Sequence, residues 1–106
     1  MAAGDVSIHG DSGRSIRGIR IVTGTVQLDG GNPTPINLSA YGVQCLGGVV
    51  SIRNASAPGD DPVVVTCNPS SATLNVYAWK TDGTDPTLVA STDNAVVVDF
   101  VATMRA

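Results

Sequence analysis

The stretch Thr73-Leu74-Asn75-Val76-Tyr77-Ala78-Trp79-Lys80-Thr81-Asp82-Gly83-Thr84-Asp85-Pro86-Thr87-Leu88-Val89-Ala90-Ser91-Thr92 decides the fold. Leu74, Val76 and Ala78 alternate with Asn75, Tyr77 and Trp79, the two-residue period of a β-strand. Asp82-Gly83 then supplies a turn and Asp85-Pro86 keeps a helix from restarting, so Leu88, Val89 and Ala90 read as the returning strand. One phase of the first strand must face the core. Either Leu74, Val76 and Ala78 point inward, or Tyr77 and Trp79 do. The usual burial of Trp, in a chain with four aromatic residues, favours the rings as core.

The rest of the chain repeats this texture. Its 106 residues make one domain, and Val, Ile and Thr together number 31 against no Glu, one Lys and two Gln. Branched Cβ atoms crowd a helix and fit a pleated sheet, so the composition predicts an all-β protein. Ile19, Ile21, Val22, Val26 and Leu28 mark an early strand whose apolar residues change phase around Gly24, which reads as a bulge that swaps the inward face. Ile36 and Leu38, after Pro33 and Pro35, form a short edge strand, and in the ambiguous stretch that follows Leu38-Ser39-Ala40-Tyr41 could be one helical turn. Val43–Arg53 is a strand region with Val50 and Ile52 inward, and residues 54–62 are loop. Val63–Cys67 is apolar on both phases and reads as a central strand. At the end, Val96, Val98, Phe100, Ala102 and Met104 share one face, with Val97, Asp99, Val101 and Thr103 on the other. Six to eight strands separated by turns predict an antiparallel β-sandwich, immunoglobulin-like or jelly-roll-like.

Residues 1–14 are rich in Gly, Asp and Ser, with Val6 and Ile8 as the apolar anchors. They read as an extended N-terminal arm on a body of residues 15–106. The start has neither a basic n-region nor an apolar h-region, which predicts a cytoplasmic protein with Cys45 and Cys67 as reduced, structural thiols. A net charge of −3 disfavours nucleic acid as a partner, and no run of 18 apolar residues spans a membrane.

Searching for chemistry yields little. Gly10-Asp11-Ser12-Gly13 copies the tetrapeptide around the nucleophile of trypsin-like proteases, but the two-barrel context that motif needs is missing. Asp82 and Asp85 lack the closing bidentate carboxylate of a calcium loop, and the chain contains no Glu to supply one. His9 stands alone in the arm. The reading is of a non-enzyme without cofactor or metal. Arg14, Arg17 and Arg20 hold half of the positive residues within seven positions and suit an acidic protein surface.

Val22–Pro35 and Val76–Ser91 resemble small structural proteins of tailed-phage heads, the decoration or cement proteins that sit outside an icosahedral shell. The resemblance runs from Ile16 to Val101 and rests on strand and turn texture. It implies a β-sandwich with an extended arm that clamps neighbouring major capsid protein subunits, as a homo-oligomer with a trimer favoured and a dimer possible. It also implies a place on the virion surface after synthesis in the host cytoplasm. Under this reading Val6, Ile8, Arg14, Ile16, Arg17 and Ile19 carry arm contacts, with Tyr77 and Trp79 as further partner-binding residues. Two alternatives stand beside it. A carbohydrate-binding or adhesive tail-fibre module would use Tyr77 and Trp79 as a stacking platform, and a tail-tube or spike subunit would assemble with itself.

Overall fold

The computed structural model describes residues 1–13, 17–53, 64–82 and 87–105. Eight strands run through them: β1 (Val6–Asp11), β2 (Ile19–Gln27), β3 (Thr34–Asn37), β4 (Gln44–Arg53), β5 (Val64–Ser70), β6 (Thr73–Thr81), β7 (Leu88–Ala90) and β8 (Val97–Arg105). They form an antiparallel β-sandwich. One sheet has the order β1-β2-β8-β4; the other has β3-β6-β5, with β7 also pairing β6. The chain changes sheet four times, from β2 to β3, β3 to β4, β4 to β5 and β7 to β8.

The deciding hairpin is present as read. Trp79 pairs Ala90, Lys80 pairs Val89 and Thr81 pairs Leu88, while the turn at 83–86 lies outside the described residues. Leu74, Val76 and Ala78 are buried, so the core takes the aliphatic phase and the rings face outward. This corrects the preference for core rings. The large ring in the core is Phe100, buried on β8 between β2 and β4, and Trp79 lies on the opposite phase of β6 from the buried Leu74, Val76 and Ala78.

β8 behaves as its alternation predicts. Val98, Phe100, Ala102 and Met104 are buried, and Val50 and Ile52 of β4 pair Phe100 and Val98 on the same inward side. Gly24 differs from expectation. β2 pairs β8 in unbroken register from Ile19↔Arg105 to Gln27↔Val97, so no bulge swaps its face. Gly24 instead points inward with Val22 and Val26, and a Cβ there would lie 3.0 Å from the Phe100 ring. Glycine is needed for that close approach. Ile19 and Ile21 are left on the outer face, both exposed.

The N-terminal stretch is extended and lies along the body as β1. Val6 pairs Val26, Ile8 pairs Gly24, and the register shifts past His9 before Gly10 pairs Thr23. Ile8 packs against the core from this edge. β5 is also an edge strand, contrary to its two-sided apolar pattern: it pairs β6 alone and faces β4 across the seam between the sheets. On its inward side Val65 and Cys67 are half-buried against the core, while Val64 is exposed. Tyr41 closes a plain turn by donating its N–H to the Leu38 carbonyl at 2.9 Å, and no helix occurs among the described residues.

The long turn after β2 holds itself. Asp29 Oδ1 accepts from the Gly31 N–H (2.8 Å) and the buried Thr34 hydroxyl (2.9 Å), and the Asn32–Pro33 peptide is cis. Asn32 then bridges to the other elements of the second sheet. Its Oδ1 accepts from Ala78 N–H at 2.8 Å and its Nδ2 donates to the Ser91 carbonyl at 2.7 Å. The Ala78 N–H of β6, between the stretches paired with β3 and with β7, and the Ser91 carbonyl just after β7 are thereby satisfied by a side chain.

Candidate contact surfaces

Two outer faces and one seam carry the side chains with potential for contact. On the outside of the first sheet, register places Ile19 beside Arg105, Ile21 beside Thr103, and Thr23 beside Val101, which in turn pairs Val49 of β4. Ile19 (41% exposed), Ile21 (50%), Val101 (45%) and Val49 (70%) therefore form an aliphatic strip across three strands. Short branched side chains on paired strands lose little entropy when covered, because backbone and χ1 are already fixed. A shallow groove between β4 and β8, lined by Val49, Val101, Ser51 and Asp99, runs along this strip. Its far end is closed by an ion pair between Arg53 and Asp99, with Arg53 Nη2 2.5 Å from Asp99 Oδ1 and Nε 3.1 Å from Oδ2.

The outside of the second sheet has a different character. Tyr77 and Trp79 lie along β6, paired with Thr66 and Val64 of β5, and both are half-buried. The Trp79 indole N–H donates to Thr66 Oγ1 at 2.9 Å, which fixes the ring against the neighbouring strand. Asn75 continues the row, so this face is aromatic and amide-bearing where the other is aliphatic.

The residues expected to act together in the arm are divided by the fold. Val6 is partly exposed on β1, while Ile8 turns inward against the core. Ile19 belongs to the aliphatic strip. Arg17 is exposed in the turn before β2, and Arg14 and Ile16 lie outside the described residues. Ile21, Val49 and Val101 were not singled out from the sequence. The signal was there: apolar residues on both phases of strands that are covered on one side only. For Ile21 it was absorbed by the supposed bulge at Gly24, whereas Val49 and Val101 already fell on the outward phase of their strands.

At the seam, the Cys67 thiol donates to the Gly48 carbonyl at 3.2 Å and the Cys45 thiol to Gly47 at 3.6 Å; both cysteines are free. Burial pushes the Cys67 thiol above its ordinary 9.0, and the facing Cys45 adds to the shift. A raised folded-state value means that this contribution to stability is intact below 9.0 and is shed as pH climbs past it, because the unfolded chain releases the proton first. The urea midpoint should accordingly fall between about pH 8 and 10, and fall less in Cys67→Ser. Equal slopes in the two proteins would assign the loss elsewhere.

Among the described residues no group of three or more His, Cys, Asp or Glu side chains is placed to hold a metal. Comparison with known proteins found no matching family model, no matching curated protein and no matching solved structure.

Proposed function

We propose that this chain is a structural virion protein, a decoration or cement protein that docks on the outside of an icosahedral phage head and fastens neighbouring major capsid protein subunits. The observation that carries the reading is the aliphatic strip of Ile19, Ile21, Val49 and Val101 on a rigid three-strand face. Covering an exposed Val or Ile side chain completely is worth about 1.5–3 kcal/mol, so partial cover of four yields a modest gain per copy. Much of that gain offsets the entropy lost on docking. Contacts repeated over a lattice, and shared within a homo-oligomer with the trimer favoured, turn such gains into firm attachment. The strip lies on the body, so the N-terminal residues act here as the strand that holds β2 in place, and Ile19 is the expected contact residue that joins the strip itself.

Co-sedimentation with purified phage shells tests the reading. Val49→Asp, at the most exposed of the four positions (70%), should leave the melting temperature nearly unchanged, yet retention on shells should fall about tenfold or more, because a charge would be buried unpaired. Undiminished retention would remove the strip from the mechanism.

The outward position of Tyr77 and Trp79 favours one second reading, a carbohydrate-binding or adhesive module in which a sugar stacks on the rings. Specific glycan-array binding that disappears in Trp79→Ala would support it over the cement role.

A further inference from the structure

We propose that a second copy of this chain docks its acidic end onto the basic end of the first, head to tail, through the two opposite ends of the β2–β8 pair. Antiparallel pairing sets Ile19 beside Arg105 at one end and Gln27 beside Val97 at the other. Nine residues of strand separate these ends by about 26 Å at 3.3 Å per step. The molecule is elongated in proportion, 48 × 24 × 19 Å.

Side-chain charge is sorted along this axis. Arg17, Arg20 and Arg105 gather at the Ile19 end, where the Val43 N–H donates to the Arg105 carbonyl at 2.8 Å and brings that residue alongside. Arg20 Nε is buried there without a hydrogen-bond partner. A pocket of about 220 Å³ opens between Arg17, Gly18, Ile19, Leu46 and Arg105. Exposed Ile19, Val43 and Leu46 surround it, the mixture of arginine and aliphatic side chains common at protein contacts. The nearest carboxylate along β1, Asp11, is level with Val22 and accepts from the Gly13 N–H.

The opposite end carries Asp5, Asp29 and Asp93. Gly4 donates to the Gln27 carbonyl and Gln27 Nε2 to Asn94 O, which draws the three turns together. Each carboxylate spends one oxygen on its own turn: Asp5 Oδ2 on Ala2 N–H, Asp29 Oδ1 on Gly31 and Thr34, and Asp93 Oδ1 on Ala95 and Val96. The second oxygen of each is left for a guanidinium fork. Asp82 and Asp99 add to this end and Arg53 and Lys80 subtract from it, so carboxylates stay in excess. Arg53–Asp99 is the one ion pair among the described residues. Among the described side chains each end therefore keeps an excess of one sign, and each is the complement of the other. A contact of this kind joins two different surfaces and does not close on itself in a pair, so it propagates into a row or a ring. The inference rests on the charges at the two tips; its basic tip shares Ile19 with the shell-docking strip, and it agrees with the self-assembly expected of a tube or spike subunit.

Sedimentation equilibrium of the full chain is the test. At about 0.01 M salt, where charges act over about 30 Å, the weight-average mass should exceed the 10.7 kDa of one copy, and it should return to 10.7 kDa near about 0.5 M. Arg17→Gly/Arg105→Gln should weaken association about tenfold or more. Arg17 sits at φ +56°, a region that glycine enters freely, so that change does not strain the fold. Asp5→Asn/Asp93→Asn keeps the capping oxygens and should weaken association equally. At a concentration where the wild type associates and each variant alone is monomeric, a mixture of the two should form a 1:1 dimer and nothing larger, because each protein retains one intact end. A wild type that stays at 10.7 kDa at every salt, a mass that rises with salt, unaltered association of the variants, or a mixture without dimer would each overturn the proposal.

Discussion

Phe100→Ala is expected to cost about 3–5 kcal/mol, the range for emptying a buried aromatic site. Phe100 is the single phenylalanine, stands on the strand between β2 and β4, and is 2% exposed. Its inward neighbours in register are Gly24 on one side and Val50 on the other. Glycine has no side chain to swing into the space, and Val50 is a stiff branched residue on a paired strand, so the cavity cannot collapse. A domain of this size has about 5–15 kcal/mol in total, so the loss takes about a fifth or more of it. Urea unfolding should show the midpoint displaced with its slope preserved. A shift equivalent to under about 1 kcal/mol would mean that the ring is not the centre of the core.

Gly24→Val should be comparably damaging, by about 3 kcal/mol, through excess volume and not through a void. A Cβ at this position would contact the Ser7 carbonyl oxygen as well as the Phe100 ring. The ring could shift; the carbonyl belongs to the β1 backbone and is held by pairing with β2. Hydrogen exchange should therefore show β1 protection lost first, with β8 and β4 still protected. Phe100→Leu in the same chain should restore only the part of the loss that comes from the ring, a coupling that a double-mutant cycle reads directly. Full stability of Gly24→Val would show that β1 is not seated on the sheet.

The strands were legible wherever one side of the sheet is dry and the other wet. β8 could be read residue by residue because its inward set, Val98 to Met104, alternates with Asp99 and Thr103. β6 was equally clear as a strand, yet its inward phase was ambiguous, since both phases carry residues that a core accepts. Deciding it requires knowing that Phe100 arrives from the other sheet, which no local window contains. The aliphatic strip was hidden for a related reason. Ile19 and Ile21 look like core residues, and only the unbroken pairing of β2 with β8 shows that they face out. β5 misled by composition alone: Val64 and Val65 suggest a strand flanked on both sides, whereas contact with β4 across the seam makes an edge tolerable. Asn32 could not have been found at all, because its two bonds reach 46 and 59 residues along the chain.

The free side of β6 is divided between β3, four residues long and carrying Pro35, and β7, three residues long. On the other sheet β1 changes register past His9, while β4 and β5 face each other. Among the described residues no rim is both long and straight, so a stray strand finds no template to extend. Encounters between molecules are thus channelled to faces and tips and away from strand edges.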